Sequence, residues 1–181
     1  MSLPHALLTS LIERPSSGSE LSARFDRSIG HFWHATHQQI YRELAKLEKA
    51  GWVESFFAEE GERKKKTYRV LAAGREELKR WLATEEPPLP VRSPLMVRMR
   101  AAAVVGTQGV VPELRRHLRL HQEKLTHYLA LQARDEARCQ GSSTELVQLM
   151  ILNSGIQLER YWIETIEQAI AVLAQHSKDV T

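Results

Sequence analysis

The chain has 181 residues, 43% hydrophobic and 26% charged, with a formal net charge of +3 and a single cysteine, Cys139. This composition suits one or two compact domains with enough apolar content to bury a core, and a lone cysteine excludes an intramolecular disulfide. The mild positive balance permits a polyanionic partner without demanding one. Residues 1–12 lack the basic start and long apolar stretch of a signal peptide, and no apolar run is long enough for a membrane span. A reducing cytoplasm is the expected compartment.

Two halves can be told apart. Glu86-Pro87-Pro88-Leu89-Pro90 places three prolines in four positions, which cannot continue a helix and favour extended backbone. Residues 1–85 and 93–181 are expected as separate domains, with 86–92 as a proline-rich linker.

In the first half, Leu3, Leu7, Leu8 and Leu11 share a helical face, and Pro15 helps stop that helix. Ser17 with Glu20 fits a capping box. The helix it opens carries Leu21, Phe25 and Ile29 at spacing four, with Gly30 placed to end it. A third helix starts at Thr36, with Gln39 as capping-box partner, a stripe of Ile40, Leu44 and Leu47, and Gly51 as its stop. The periodicity then changes. Trp52–Phe57 predicts a strand, Glu59–Arg63 a loop containing Gly61, and Lys66–Leu71 a second strand. A fourth helix follows, with Leu78, Trp81 and Leu82 as its buried side.

The second half is helical. Ser93–Val105 is a short apolar segment containing Met96 and Met99. Pro112 suits the first turn of a long helix whose stripe is Leu114, Leu118, His121, Leu125 and Tyr128, broken by Gly141. Ser142 with Glu145 is a third capping box, opening a helix to about His176. Its Leu146, Leu149, Leu152, Ile156, Ile163, Ile166, Ile170 and Leu173 recur in steps of three and four, a coiled-coil-like seam. A second chain is the natural cover for such a hairpin. Leu118, Leu125, Leu149, Leu152, Ile156, Ile163, Ile166 and Ile170 are the candidate dimer contacts. Asn153, inside the seam, either fixes its register or faces solvent.

Three helices and a basic hairpin make a winged helix. The expected fold is mainly α with a small β-hairpin wing: a winged helix-turn-helix domain, then a C-terminal antiparallel helical dimerisation domain. A recognition helix enters the major groove with its early residues at the base edges. Here those residues are polar: Thr36, His37, Gln38, Gln39, Tyr41 and Arg42. Gln pairs with adenine in bidentate fashion and Arg with guanine. Arg63, Lys64, Lys65, Lys66 and Arg69 put five cations and no acid into seven residues of the hairpin, suited to a phosphate backbone. Double-stranded DNA is the implied partner.

The stretch Thr36-His37-Gln38-Gln39-Ile40-Tyr41-Arg42-Glu43-Leu44-Ala45-Lys46-Leu47-Glu48-Lys49-Ala50-Gly51-Trp52-Val53-Glu54 resembles the recognition-helix signature of PadR-type regulators, and Gln-Ile-Tyr-Arg-Glu-Leu is closest to the AphA-like branch. Ser17-Gly18-Ser19-Glu20-Leu21 matches that family's second-helix start. Tyr68, Gly74, Leu78, Trp81 and Leu82 fall where it places the wing tyrosine and fourth helix, and Ser93 onwards resembles its dimerisation region. The resemblance implies DNA contacts by Thr36, Gln38, Gln39, Tyr41 and Arg42, with Lys64, Lys65 and Lys66 in the wing; Tyr68 joins this candidate set. The chain departs from the pattern at Ser19, often tyrosine in the family, and at Leu71, where a threonine caps the fourth helix.

Other signals are weaker. His31, His34 and His37 are three apart, and His117 and His121 four apart, but no third ligand stands at a motif spacing, so no metal or cofactor is implied. No phosphate loop, nucleophile elbow or paired-carboxylate motif is present, which argues against an enzyme. Trp81, Met96 and Met99 are candidates to line an apolar effector pocket between the halves, PadR relatives often responding to small aromatic or hydrophobic molecules. The rival readings are a protein-interaction winged helix without DNA binding, a ligand sensor whose DNA binding is secondary, and a MarR-type regulator.

Overall fold

Leucines at helical spacing wind Leu3–Glu13 into α1, which buries Leu7, Leu8 and Leu11 in the computed structural model of the chain. The structure describes residues 3–26, 33, 35–60, 63–88, 90 and 92–176, with the backbone alone at 58–60, 63 and 64. It divides into two compact units, Met1–Pro88 and Leu89–Thr181.

In the first unit, Ser16–Ser17 forms a two-residue strand, β1, and Gly18–Asp26 forms α2. The Ser17–Glu20 capping box is made: Ser17 N donates to Glu20 Oε2 at 2.9 Å and Glu20 N to Ser17 Oγ at 3.3 Å. Leu21 and Phe25 are fully buried, while Ile29 and Gly30 lie outside the described residues. His37–Lys49 is α3, capped by Thr36, and Gly51 leaves it at φ +72°, a left-handed conformation that glycine adopts without steric cost. Ile40, Leu44 and Leu47 bury its inner face against α1 and α2. Each fully buried leucine or isoleucine contributes roughly 1.5–3 kcal/mol, so this stripe fixes the pose of α3 far more firmly than propensity does.

The wing is longer than its sequence pattern suggests. Val53–Glu60 is β2 and Arg63–Val70 is β3, antiparallel, with Glu59 opposite Lys64 and Glu60 opposite Arg63. Main-chain pairing continues past the apolar positions, so residues 59, 60 and 63 are strand where a loop is expected. β1 pairs with the other edge of β3, giving the order β1-β3-β2. Leu71 ends outside the strand as the first residue before α4, Ala72–Leu82; it offers no side-chain cap, and its N–H donates to Trp52 O at 2.9 Å. On α4, Trp81 stacks on His5 of α1 at 4.4 Å with the rings 6° apart, and Leu78 is half-buried. Leu82 is 73% exposed, not buried, because it lies off the face that α4 turns to α1.

In the second unit, Pro94–Val105 is α5, with Ser93 Oγ accepting from Met96 N at 3.3 Å; Val110–Glu136 is α6 and Ser143–His176 is α7. The third capping box is made as well, Ser142 N donating to Glu145 Oε2 at 3.0 Å. Leu95, Ala102, Leu114, Ile166 and Leu173 form the core, with Met99, Leu118, Trp162 and Ile170 packed on it. Gly155 allows the Tyr128 ring to approach closely: a Cβ there would sit 3.2 Å from Tyr128 Cε2.

The seam expected to join two chains closes largely inside one. Ile156 and Ile166 are buried within the protomer, Leu118 and Ile170 belong to its core packing, and Leu125, Leu149, Leu152 and Ile163 are half-buried. The reason is the α6–α7 hairpin, which supplies its own second strand for a coiled-coil-like contact. Asn153 and Leu146 are exposed. A second stripe of α7, with Val147, Ile151, Leu158, Tyr161 and Val172, remains open to solvent.

Gly74 lies against the backbone of Trp52, where an added Cβ would collide with the Trp52 carbonyl oxygen and come within 2.9 Å of Val70 Cγ1. Gly74→Ala should therefore destabilise the chain by about 1–3 kcal/mol, read as an earlier urea midpoint at unchanged slope. An unaltered midpoint would mean that α4 shifts at no cost.

Candidate nucleic-acid interface

The first turns of α3 present Thr36, His37, Gln38, Gln39, Tyr41 and Arg42 to solvent, interrupted by the buried Ile40. This is the outcome of an amphipathic helix anchored by three apolar residues. The exposed set is not chemically uniform. Thr36 Oγ1 accepts from Gln39 N at 3.2 Å, and Gln39 Oε1 accepts from Thr36 N at 2.8 Å. The cap thus engages the carbonyl of Gln39 and leaves only its amide nitrogen to donate, whereas reading adenine needs both ends of the group. Gln38 stands outside the cap. Tyr41 is 47% exposed and packs over Gly18 at the start of α2, where any Cβ would strike the ring. Gly18 therefore sets the height of the Tyr41 side chain above the surface, a contact that only the fold reveals.

Three of the wing cations, Lys65, Lys66 and Arg69, are engaged rather than isolated. Lys65 Nζ lies 2.8 Å from Glu20 Oε1, so the capping-box acid of α2 also ties down the wing. Lys66 Nζ lies 3.1 Å from Glu48 Oε2 on α3 and 5.0 Å from the centre of the Tyr68 ring. Glu48 also accepts from Ser55 Oγ. Arg69 Nε donates to Glu54 Oε1 at 2.6 Å, and its guanidinium lies 5.3 Å from the Phe56 ring centre. Electrostatics follow this pairing. The Lys65 ammonium, with the Ser17 amide and hydroxyl, holds the Glu20 carboxyl at about 2, well below its ordinary value. The Ser55 hydroxyl and the Lys66 ammonium lower Glu48, and Glu48 raises Lys66 in turn. Arg63 and Lys64 lie on the outer half of β3, at register positions opposite Glu60 and Glu59.

Tyr68 is 8% exposed and belongs to the core with Leu21, Leu44 and Val53, so it supports the surface from beneath instead of joining it. The cause is the sheet order: β3 is the central strand, flanked on both sides. Sequence pattern singles out Glu20 only as a helix cap and does not single out Glu48 or Glu54, because the cations they meet lie on other elements. Of the speculative pocket residues, Trp81 stacks in the first unit, and Met96 and Met99 lie on α5 of the second. His31 and His34 lie outside the described residues. His117 and His121 are engaged with acids, Nε2 of His117 with Glu113 at 3.2 Å and Nδ1 of His121 with Glu159 at 2.5 Å.

Two family models match the chain in series: the PadR-like transcriptional regulator family over residues 7–80 and the C-terminal region of virulence activator alpha over residues 91–174. A Mycobacterium tuberculosis protein named "Probable transcriptional regulator Rv1176c" is 35% identical, with 94% of this chain and 98% of that protein covered. The structure of Bacillus subtilis PadR in complex with operator DNA superposes with a TM-score of 0.82 at 25% identity, covering 96% of this chain and 99% of the other. PadR in complex with p-coumaric acid superposes at 0.76 with 26% identity, covering 96% and 99%. The Vibrio cholerae virulence activator AphA gives 0.83 at 26% identity, covering 97% and 99%. The likeness runs over nearly the whole length of these proteins, and this chain belongs to the PadR-like family, a family of transcriptional regulators and not of enzymes.

Proposed function

We propose that this chain acts as a homodimer on a pseudo-palindromic operator, reading bases with the start of α3 and holding the flanking backbone with the wing. The observation that carries the proposal is the tether between the two surfaces: Lys66 on the wing is ion-paired to Glu48 on α3, and Lys65 to Glu20 on α2. A duplex that receives α3 in its major groove therefore meets β2 and β3 in a fixed pose. Exposed ion pairs are worth only about 0–1 kcal/mol each, so a phosphate can take over a lysine at little cost. The operator-bound structure of PadR supports the same assignment by likeness. Its p-coumaric acid complex likewise supports a small aromatic effector for this chain. For the dimer contact, the open stripe of α7 (Val147, Ile151, Leu158 and Tyr161) is the better-suited surface, because the Ile156–Ile166 seam is already covered within the protomer.

Replacing Lys64, Lys65 and Lys66 by alanine should weaken binding to every duplex and flatten the salt dependence by about one unit of slope per phosphate contact removed. Gln38→Ala should instead cost about 1–3 kcal/mol of discrimination at one base position while leaving the salt slope unchanged. Fluorescence anisotropy against an operator selected from genomic fragments, repeated at several salt concentrations, separates the two effects. Equal behaviour of the two variants would remove the proposed division between reading and holding.

Ile151→Asp with Leu158→Asp should convert the dimer to a monomer in light scattering without unfolding the chain. A dimer that survives both changes places the contact elsewhere.

A further inference from the structure

Gly18 is the first residue of α2 and is buried, although Ser19 beside it is exposed. Its backbone does not call for glycine. Positive φ is confined to Gly51, Gly106, Gly109 and Gly141 among the described residues. An alanine fits the ordinary helical conformation of position 18 and loses less chain entropy on folding. The reason for a bare backbone lies above it. A Cβ at this position would collide with Cε1 of Tyr41 and come within 2.9 Å of Cζ and 3.1 Å of Cδ1. All three atoms belong to one ring, which reaches over from α3. Glycine here costs α2 some intrinsic stability and gives an aromatic plane room to lie down.

The seated ring is still 47% exposed. At 3.6 residues per turn, Gln38 and Arg42 point roughly 160° away from Ile40, straight out from the buried stripe, whereas Tyr41 stands roughly 100° round. The ring therefore leaves the outward face of α3 and leans on α2. Cζ carries the hydroxyl, so it is the phenol end that lies over the start of α2. In a helix-turn-helix the recognition helix enters the groove while the helix before it crosses the backbone. A phenol held between those two helices meets the phosphate chain instead of the base edges, and its O–H is a donor suited to a phosphate oxygen.

We infer that Gly18 is a positioning residue for DNA binding: its bare backbone seats the Tyr41 ring, and the seated phenol donates to a phosphate of the duplex without reading a base. Gly18 acts only through the ring. The inference rests on the regulator reading above and deepens it, giving Tyr41 a backbone role whose geometry is set from another helix.

Fluorescence anisotropy of the full chain, on a selected operator and on an unrelated duplex of the same length, tests it through a double-mutant cycle. Tyr41→Phe should weaken binding to both duplexes by the same factor, about two- to tenfold, at an unchanged salt slope, because a neutral hydrogen bond is lost and counterion release is not altered. Gly18→Ala should weaken both by at least as much, with a melting temperature equal to or above that of the unaltered chain. In a Tyr41→Ala background, Gly18→Ala should change affinity by less than about twofold. Independent, additive losses from Gly18→Ala and Tyr41→Ala would overturn the inference. So would a Tyr41→Phe loss confined to the operator, which would make the phenol a base contact. A melting temperature lowered by Gly18→Ala overturns it as well, since the ring then holds its place against the Cβ. An unaltered chain that binds no duplex defeats the regulator reading and this inference together, whereas additive losses in a chain that binds defeat this inference alone.

Discussion

Tyr68 stands at the middle of the wing strand, opposite Ser16 of β1 on one side and Ser55 of β2 on the other, with its ring in the core beneath α2 and α3. Side chains alternate along a strand, so a slip of one residue would expel this ring and turn its neighbours to the opposite face. The positions of Lys66 and Arg69 follow from that placement. With Tyr68 inward, Lys66 reaches Glu48 and Arg69 reaches Glu54.

The electrostatic design of the first unit is one of partial self-neutralisation. A sequence run of four consecutive cations suggests a bare positive tip, yet the fold sets an acid from a different element beside Lys65 and another beside Lys66. Pairs of this exposed kind are weak and are screened by salt. Such pairs restrict the wing to one pose, and under the proposed function that restriction precedes the arrival of a duplex.

Local signals were legible wherever one element carried them. The capping boxes at Ser17, Thr36 and Ser142 were readable because donor and acceptor stand three residues apart, and all three are made. The leucine and isoleucine stripes of α1 and α3 were readable for a similar reason, their periodicity matching the turn of the helix. What escaped is non-local. β1 has no strand signal of its own; two serines pair there because Tyr68 and Thr67 offer them a free edge. The close approach of Tyr41 to Gly18, and the acids that meet the wing lysines, depend on which elements become neighbours. Leu82 looked buried on a helical wheel and is not, because periodicity gives the angle of a face but not the extent of what covers it. The long seam of α7 was seen correctly as a stripe, but its period says nothing about whether the covering helix comes from the same chain or another.

Within that seam, position 159 recurs in step with Leu152, Ile156, Ile163 and Ile166, and it is a glutamate, 2% exposed. Moving a carboxylate from His121 and Lys124 to an apolar neighbour would leave a buried charge uncompensated, which is far costlier than any mismatch of aliphatic groups. α6 and α7 are therefore pinned at one rung. Sliding by a helical turn, the low-cost motion of a purely aliphatic pair, is closed to this hairpin, and a force applied at one end of it must emerge as rotation or bending, not as a shift along its length.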